Sequence, residues 1–310
     1  MKVYQGLDAF QQLPLAVVTS GTFDGVHVGH QKILSRLNEA SRHYRAESVV
    51  ITYWPHPRLV ISDGSQDLKL LSTIDERIET LAGLGIDHLL IIAFTRDFSQ
   101  LSSEAFVRRI LVDKIGTKRL IIGHDHRFGR NREGSFESLR NHASRYGVDV
   151  EEIPRQDIEA VGVSSTRIRN ALLEGNVGVA NQYLGRPYCL KGVVIKGNQL
   201  GRTIGFPTAN VQVPEPYKLV PADGVYAVRV KHRDGLHDGM LNIGLRPTVD
   251  GTSRTTEAHL FDFDRDIYGQ EVTVYLVDRL RDERKFAGLA ELKQQLADDR
   301  QRAKSVLGGQ

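Results

Sequence analysis

The chain has 310 residues, of which 40% are apolar and 25% are charged, a composition that excludes a disordered or fibrous protein. Its 41 basic and 38 acidic side chains leave a formal charge of +3, which argues against sequence-independent binding of nucleic acid. The single cysteine, Cys189, excludes an internal disulfide and a cysteine-based zinc site.

The sequence also lacks the signals of a membrane or secreted protein. Its longest unbroken apolar run, residues 89–94, is far shorter than the ~20 residues that a membrane helix needs. The acidic residue Asp8 precedes any long apolar stretch, so the N-terminus does not resemble a secretion signal. We therefore expect a cytoplasmic protein with no membrane partner, and the length favours two domains.

The first half of the chain alternates between strand-like and helix-like segments. The predicted strands are residues 15–19, 48–53, 88–94, 119–123 and 148–153. The predicted helices are residues 30–42, 74–84, 104–115, 136–146, 165–174 and 177–184. Near-continuous apolar strands that alternate with helices predict a parallel sheet with helices on both faces. We place this α/β domain at residues 1–185.

A glycine-rich loop, GTFDGVHVGH at residues 21–30, joins the first predicted strand to the first predicted helix. This arrangement presents backbone N–H groups and the positive end of the helix dipole to phosphate. His27 and His30 are three residues apart, so one helical turn directs both imidazoles to the same point. Two imidazole donors there would stabilise phosphate charge during direct transfer to an acceptor oxygen. The loop alone also fits an ordinary turn with two surface histidines.

The loop resembles the signature of the nucleotidylyltransferase superfamily, in the form found in bacterial bifunctional riboflavin kinase/FAD synthetases. Residues 163–169, VSSTRIR, resemble that superfamily's second signature. The resemblance implies a Rossmann-like nucleotidylyltransferase domain in which His27, His30 and Arg169 are catalytic. The residues that it implies in ATP and FMN binding are Gly21, Thr22, Phe23, Asp24, Gly25, Gly29, Asp125, Arg127, Ser164, Ser165, Thr166 and Arg167.

Two further stretches resemble the same family and depart from it at one residue each. Residues 123–129, GHDHRFG, carry His126 where the family usually has an aromatic residue. Residues 53–57, YWPHP, carry Trp54 where an acidic residue is common. The ring of Trp54 would either help to cover a flavin or serve packing alone.

The pattern changes at about residue 185, where short strands broken by glycine and proline begin. The predicted strands are residues 189–196, 224–232, 240–243, 255–263 and 271–280. They predict a small antiparallel β-barrel at residues 186–310. The last segment has a helical period, and its predicted apolar stripe is Phe286, Leu289, Leu292, Leu296 and Ala303. We therefore expect a C-terminal helix on the barrel.

A second glycine-rich stretch, GNQLGRTIGFPTAN at residues 197–210, lies after the first strand of the barrel. It lacks the GK[ST] of a Walker A loop. Closely spaced glycines can form a flap whose N–H groups cradle polyphosphate, and Arg202 can contact phosphate. Thr208 and Asn210 offer the oxygen ligands that Mg²⁺ prefers. A plain hairpin loop is the alternative.

The GFPTAN segment resembles the defining motif of riboflavin kinases. Further segments of that family follow in order, at residues 224–226, 242–244, 256–259 and 281–283. The resemblance implies Mg²⁺ at Thr208 and Asn210 and identifies Glu257 as the catalytic base, although a mid-strand glutamate alone would be expected to be merely solvated. The implied ATP- and riboflavin-binding residues are Gly197, Gly201, Arg202, Gly205, Pro207, Thr208, Asn210, Tyr226, Asn242 and Arg281.

These observations predict a bifunctional enzyme that phosphorylates riboflavin to FMN and then adenylylates FMN to FAD. The implied partners are ATP, riboflavin and FMN, with Mg²⁺ as cofactor and no nucleic acid. One alternative is a single-activity adenylyltransferase whose second domain is degenerate. A non-catalytic, flavin-sensing regulator is the alternative from another class.

Overall fold

A computed structural model of the chain describes residues 1–61, 68–123, 136–153, 162–197, 200–248 and 251–309. The chain divides into two compact units, Met1–Ser165 and Thr166–Gln310. By this division, almost all of the helical stretches predicted at residues 165–174 and 177–184 belong to the second unit. The domain boundary predicted near residue 185 concerns the two catalytic domains, and it remains a prediction.

The first unit contains a parallel sheet. Its strands are β1 (Lys2–Gln5), β2 (Ala16–Ser20), β3 (Glu47–Trp54), β4 (His88–Ala93), β5 (Thr117–Gly123) and β6 (Asp149–Ile153). Their order is β1-β4-β3-β2-β5-β6, and every neighbouring pair is parallel. Five of the six correspond to predicted strands. The edge strand β1 was not predicted because Lys-Val-Tyr-Gln is short and mostly exposed.

Helices cover both faces of this sheet, as the alternation predicts. They are α1 (Val28–Tyr44), α2 (Pro57–Ile61), α3 (Ile74–Ala82), α4 (Arg96–Ser99), α5 (Ser103–Ala105) and α6 (Phe136–Arg145). A π-helical segment, Phe106–Ile115, continues α5. Val17 packs with Leu34 of α1 in one buried cluster, whereas the next residue, Val18, packs with Phe106 in another. This alternation confirms the predicted doubly covered sheet.

The helices α7 (Ser165–Leu173) and α8 (Val177–Leu184) precede a closed antiparallel barrel. Its strands are β7 (Tyr188–Ile195), β8 (Ala209–Gln212), β9 (Gly224–His232), β10 (Gly235–Thr248), β11 (Gly251–Leu260) and β12 (Glu271–Arg281). Their order around the barrel is β10-β11-β8-β7-β12-β9. The short helix α9 (Leu200–Thr203) lies between β7 and β8.

The C-terminal helix α10 (Leu289–Gly308) confirms the predicted last element. Ala303 and Leu307 are buried in one cluster with Met240 and Phe261 of the barrel. The apolar stripe predicted for this helix was wrong at its start. The helix begins at Leu289, and that side chain is 58% exposed rather than packed on the barrel. Among the described residues, no helix is long and apolar enough to cross a membrane.

Candidate active sites

The loop between β2 and α1 has an unusual backbone. Phe23, Gly25 and Val26 have positive φ angles of 48°, 81° and 42°. A positive φ is rare for a side chain branched at Cβ, and such strain is concentrated at functional sites. The loop ends at His27, whose Nδ1 accepts the backbone N–H of His30 at 3.3 Å and so caps α1.

The structure brings the two predicted histidines together. The rings of His27 and His30 are stacked, with centroids 3.6 Å apart and planes 14° apart. The ring of Phe23 meets His30 edge to face, with centroids 5.2 Å apart. This geometry matches the expectation that one helical turn directs both imidazoles to a common point.

His30 carries no charge near neutral pH. Burial, followed by the neighbouring His27 and Arg77, lowers the pKa of His30 well below its ordinary value of 6.5. Its Nδ1 is buried and, among the described residues, has no hydrogen-bond partner. A neutral imidazole can donate its one N–H to a phosphate oxygen, so His30 is suited to bind an anion.

The glycines of the loop are explained by close packing. A β-carbon on Gly29 would lie 3.1 Å from Val163 Cγ1 and 3.2 Å from His27 Nδ1. One on Gly21 would lie 3.2 Å from the Phe23 ring. Both positions are tighter than ordinary van der Waals contact, so a larger residue would displace the loop.

Asp24 anchors the loop from inside the protein. Its carboxylate is 1% exposed and accepts the backbone N–H groups of Leu71 and Ser72 at 2.9 Å and 3.1 Å. The backbone carbonyl oxygen of Asp24 accepts a hydrogen bond from the Oγ of Ser165 at 3.1 Å. Asp24 and Ser165, both predicted to bind ligand, therefore connect the first signature to the second.

The remaining residues predicted for this site have varied positions. Thr22 is partly exposed, and its carbonyl oxygen accepts Thr52 Oγ1 at 3.2 Å. Ser164 lies just before α7. On that helix Thr166 and Arg167 are exposed and Arg169 is half-buried. Asp125, Arg127 and the departure His126 lie outside the described residues.

The sequence analysis missed Arg77. This side chain has no exposed surface, and its Nη1 donates to Thr52 Oγ1 at 3.2 Å. Its Cζ lies 6.0 Å from the centroid of the Trp54 ring. Arg77 lies on the same face of α3 as Ile74, Ile78 and Leu81. A cation on an otherwise apolar face of a predicted helix was the signal that could have identified it.

In the barrel, Glu257 is buried on a row of polar side chains. It lies directly opposite Asn210 of β8 on one side and Asn242 of β10 on the other. Directly opposite residues of antiparallel strands share a face, so the three side chains lie together. Glu257 is only 5% exposed, and its Oε2 accepts Thr208 Oγ1 at 3.4 Å. The alternative of a solvated mid-strand glutamate is therefore wrong.

The glycine flap folds closely against this row. A β-carbon on Gly197 would overlap the side-chain amide of Asn210, and one on Gly201 would overlap the carbonyl oxygen of Phe206. Gly205 has a φ of 86°, which favours glycine. Three of the predicted flap glycines thus have local structural reasons to be glycine.

A cavity of about 460 Å³ lies beside the flap, within the usual size range of a small-molecule site. Arg202, Pro207 and Thr208 line one part of it, and residues 263–268 line another. The predicted phosphate contact Arg202 and the predicted metal ligand Thr208 therefore border the same space.

Two residues predicted to bind ligand in the barrel have contacts within the protein. Tyr226 is fully buried, its hydroxyl donates to the carbonyl oxygen of Ala222, and burial raises its pKa. Arg281 donates to both carboxylate oxygens of the buried Asp299 at 2.7–3.0 Å. Arg281 thereby attaches α10 to β12, and ligand binding by either residue stays a prediction.

Comparison with known proteins matches both halves of the chain. The FAD synthetase family model matches residues 10–167, and the riboflavin kinase family model matches residues 184–307. The bifunctional riboflavin kinase/FMN adenylyltransferase of Escherichia coli K12 is 38% identical, over 99% of this chain and 98% of its own length. The protein of that name from Listeria monocytogenes is 38% identical, over 92% of this chain and 90% of its own length.

The fold also matches a solved structure along its length. A crystal structure described as a macrolide-efflux protein from Streptococcus pneumoniae superimposes with a TM-score of 0.90 and 33% identity. The match covers 98% of this chain and 99% of that one. It supports the fold of each unit, whereas the two family models and the curated relatives indicate the activities.

Proposed function

The chain belongs to the family of bifunctional riboflavin kinase/FMN adenylyltransferases, and we propose which of its residues carry the two reactions. It phosphorylates riboflavin with ATP to FMN, and then transfers AMP from a second ATP to FMN, giving FAD and pyrophosphate. In the proposal, Glu257 is the base of the kinase reaction, and His27 and His30 stabilise phosphate charge in the adenylyl transfer.

The burial of Glu257 beside Thr208, Asn210 and Asn242 carries the kinase assignment. Burial shields the Glu257 carboxylate from bulk water, and its Oε2 accepts a hydrogen bond from Thr208. As the oxygen of the riboflavin 5′-hydroxyl bonds to the γ-phosphorus, its proton passes to the Glu257 carboxylate and ADP leaves. The cavity bordered by Arg202 and Thr208 is the proposed place of the nucleotide.

The same row fits a Mg²⁺ ion that is shared with phosphate. Thr208 and Asn210 offer hydroxyl and amide oxygens, which are hard ligands of the kind that this ion prefers. In the part of the chain that the structure describes, no group of three or more His, Cys, Asp or Glu side chains could hold a metal ion. Since the proposal assigns only two protein ligands, phosphate oxygens and water would complete the coordination of the ion. When bound, Mg²⁺ would offset the charge of those oxygens.

The adenylyl transfer needs charge stabilisation and no base. An oxygen of the FMN phosphate bonds to the α-phosphorus of ATP, and the bond to the β-phosphate oxygen breaks to release pyrophosphate. The attacking oxygen is already an anion, so no proton has to be removed. The imidazoles of His27 and His30 donate to the polyphosphate, and the stacking of the two rings and the cap of α1 by His27 hold them side by side. By resemblance, Arg167 and Arg169 add charge.

One assay tests the pair of activities. The protein is incubated with riboflavin, ATP and Mg²⁺, and the flavins are separated by chromatography at successive times. We expect FMN to appear first and FAD to follow. Accumulation of FMN alone would contradict the adenylyltransferase assignment, and unchanged riboflavin would support the flavin-sensing alternative.

Removal of either proposed metal ligand should raise the Mg²⁺ requirement of the kinase. Thr208→Ala and Asn210→Ala each delete one oxygen ligand, so FMN formation should reach half of its maximum at a higher Mg²⁺ concentration. FAD formation from supplied FMN, titrated with Mg²⁺ in the same proteins, is the control and should match the parent. Coincident kinase curves for variants and parent would mean that both residues are only structural.

A further inference from the structure

His259 is a buried histidine of β11 that the proposed kinase reaction does not use. It is 6% exposed and follows Glu257 by two residues, so both side chains lie on the same face of the strand. The rings of Phe206 and Phe261 meet its imidazole edge to face, with centroids 5.3 Å and 5.7 Å away. A phenylalanine or leucine would fill this place without burying a polar ring. The polar contact of His259 therefore identifies what the histidine adds.

That contact joins β11 to the backbone just before β8. His259 Nδ1 lies 2.7 Å from the carbonyl oxygen of Pro207, and because a carbonyl oxygen only accepts, Nδ1 donates the hydrogen. The pairing of β8 with β11 ends at Ala209 and Ala258, and Pro207, which lacks an N–H, cannot extend it as a donor. The imidazole thus ties the Pro207 backbone to β11 where the strand pairing has stopped.

This tie bears on Thr208, the residue between the tied carbonyl group and the first paired residue of β8. Thr208 Oγ1 donates to Glu257 Oε2 at 3.4 Å, which is long for a hydrogen bond between two oxygens. The bond from His259 to Pro207 is much shorter, at 2.7 Å. The backbone around Thr208 is therefore fixed from both sides with little use of its hydroxyl group, and the hydroxyl oxygen can turn towards a ligand.

We propose that His259 is a positioning residue of the kinase site, which holds the Pro207 carbonyl group so that Thr208 presents its hydroxyl oxygen to Mg²⁺. The proposal rests on the proposed assignment of Thr208 as a metal ligand. In it, His259 acts through the backbone and contacts neither ATP nor riboflavin. The alternative is a histidine that only stabilises the barrel, by packing between two phenylalanine rings and by one buried hydrogen bond.

Three variants of His259 and one control separate these two roles. His259→Phe keeps an aromatic ring and removes the donor. His259→Asn places an amide nitrogen where Nδ1 lies and can still donate to Pro207, whereas His259→Gln carries that nitrogen one atom further out. The control is His232→Phe, which removes another buried histidine of the barrel, one that hydrogen-bonds Gln270 Oε1 at 2.7 Å.

Each full-length protein is titrated with Mg²⁺ in two ways. FMN formation from riboflavin at a fixed ATP concentration measures the Mg²⁺ that the reaction requires. Riboflavin fluorescence in the presence of ADP measures the Mg²⁺ that binding alone requires, because ADP lacks the phosphate that is transferred. We expect His259→Phe and His259→Gln to need roughly 10- to 100-fold more Mg²⁺ in both titrations, the usual cost of losing a group that orients a metal ligand.

His259→Asn should stay within a few-fold of the parent in both titrations. At saturating Mg²⁺ the rate of FMN formation should remain near the parent's in all three His259 variants, because Glu257 is unchanged. His232→Phe should lower the unfolding temperature and leave the Mg²⁺ requirement at the parent's value. A requirement in His259→Phe that equals the parent's would overturn the proposal. If His259→Phe does not fold, the two amide variants decide, and equal requirements in them would overturn it.

Thr208→Ala separates this proposal from the metal assignment on which it rests. If Thr208→Ala leaves the Mg²⁺ requirement unchanged, the assignment of Thr208 as a metal ligand itself fails. If Thr208→Ala raises the requirement and His259→Phe does not, only the role of His259 is wrong. Adding His259→Phe to Thr208→Ala should raise the requirement little further, because both changes disable the same ligand. A fully multiplicative increase in the double variant would show that His259 acts elsewhere, and would also overturn the proposal.

Discussion

Glu257→Gln should slow the formation of FMN from riboflavin by roughly 10²–10⁴-fold, the usual contribution of a general base. Glutamine keeps the size of the side chain and can still accept the hydrogen bond from Thr208, but it cannot take the proton of the 5′-hydroxyl. The variant therefore removes the proton transfer and leaves the half-buried side chains of Thr208, Asn210 and Asn242 in place. The rate of FMN formation at saturating ATP and Mg²⁺ is the measurement.

Two controls make this result specific. Glu271→Gln changes an exposed glutamate at the start of β12, paired with Lys191, and should leave both reactions unchanged. FAD formation from supplied FMN should stay within a few-fold of the parent in Glu257→Gln, because that reaction is assigned to the first unit. If both reactions slowed equally while circular dichroism matched the parent, the assignment of two separate sites would be wrong.

The kinase site shows how far sequence reasoning reaches. The motifs at 205–210 and 256–259 identified Thr208, Asn210 and Glu257, and the alternation of the chain predicted strands around the last of them. Whether Glu257 is solvated or buried depends on which strands lie beside it. Glu257 is buried because β11 pairs with β8 and β10. The order of strands in a barrel could not be predicted from the sequence. The strand β8 has only four residues and follows a glycine-rich stretch, so it was not predicted.

The first unit shows the same division between local and long-range information. The spacing of His27 and His30 predicted that the two imidazoles meet, because one helical turn is a local property. The direction in which the Asp24 side chain points could not be predicted in this way. Its carboxylate binds the backbone of Leu71 and Ser72, 47 and 48 residues further along the chain. Arg77 was missed for the same reason, since its burial and its contacts with Thr52 and Trp54 depend on a strand that is distant along the chain.

His30→Ala is expected to lower the rate of FAD formation from FMN by roughly 10²–10³-fold, the usual cost of removing one preorganised donor. Alanine removes the imidazole that is stacked on His27 and packed against Phe23. The cap of α1 is retained, because it uses the backbone N–H of His30 and the side chain of His27. The loss should therefore reflect the missing donor rather than an unfolded helix.

The same protein provides the control for folding. FMN formation from riboflavin is assigned to the barrel, so the His30→Ala protein should convert riboflavin to FMN at the parent's rate, and FMN should accumulate. His43→Ala removes an exposed histidine near the other end of α1 and should leave FAD formation unchanged. Chromatographic separation of riboflavin, FMN and FAD over time measures both reactions in one sample. An unchanged rate of FAD formation in His30→Ala would contradict the assignment, because the donor that contacts the polyphosphate would then have to be another group.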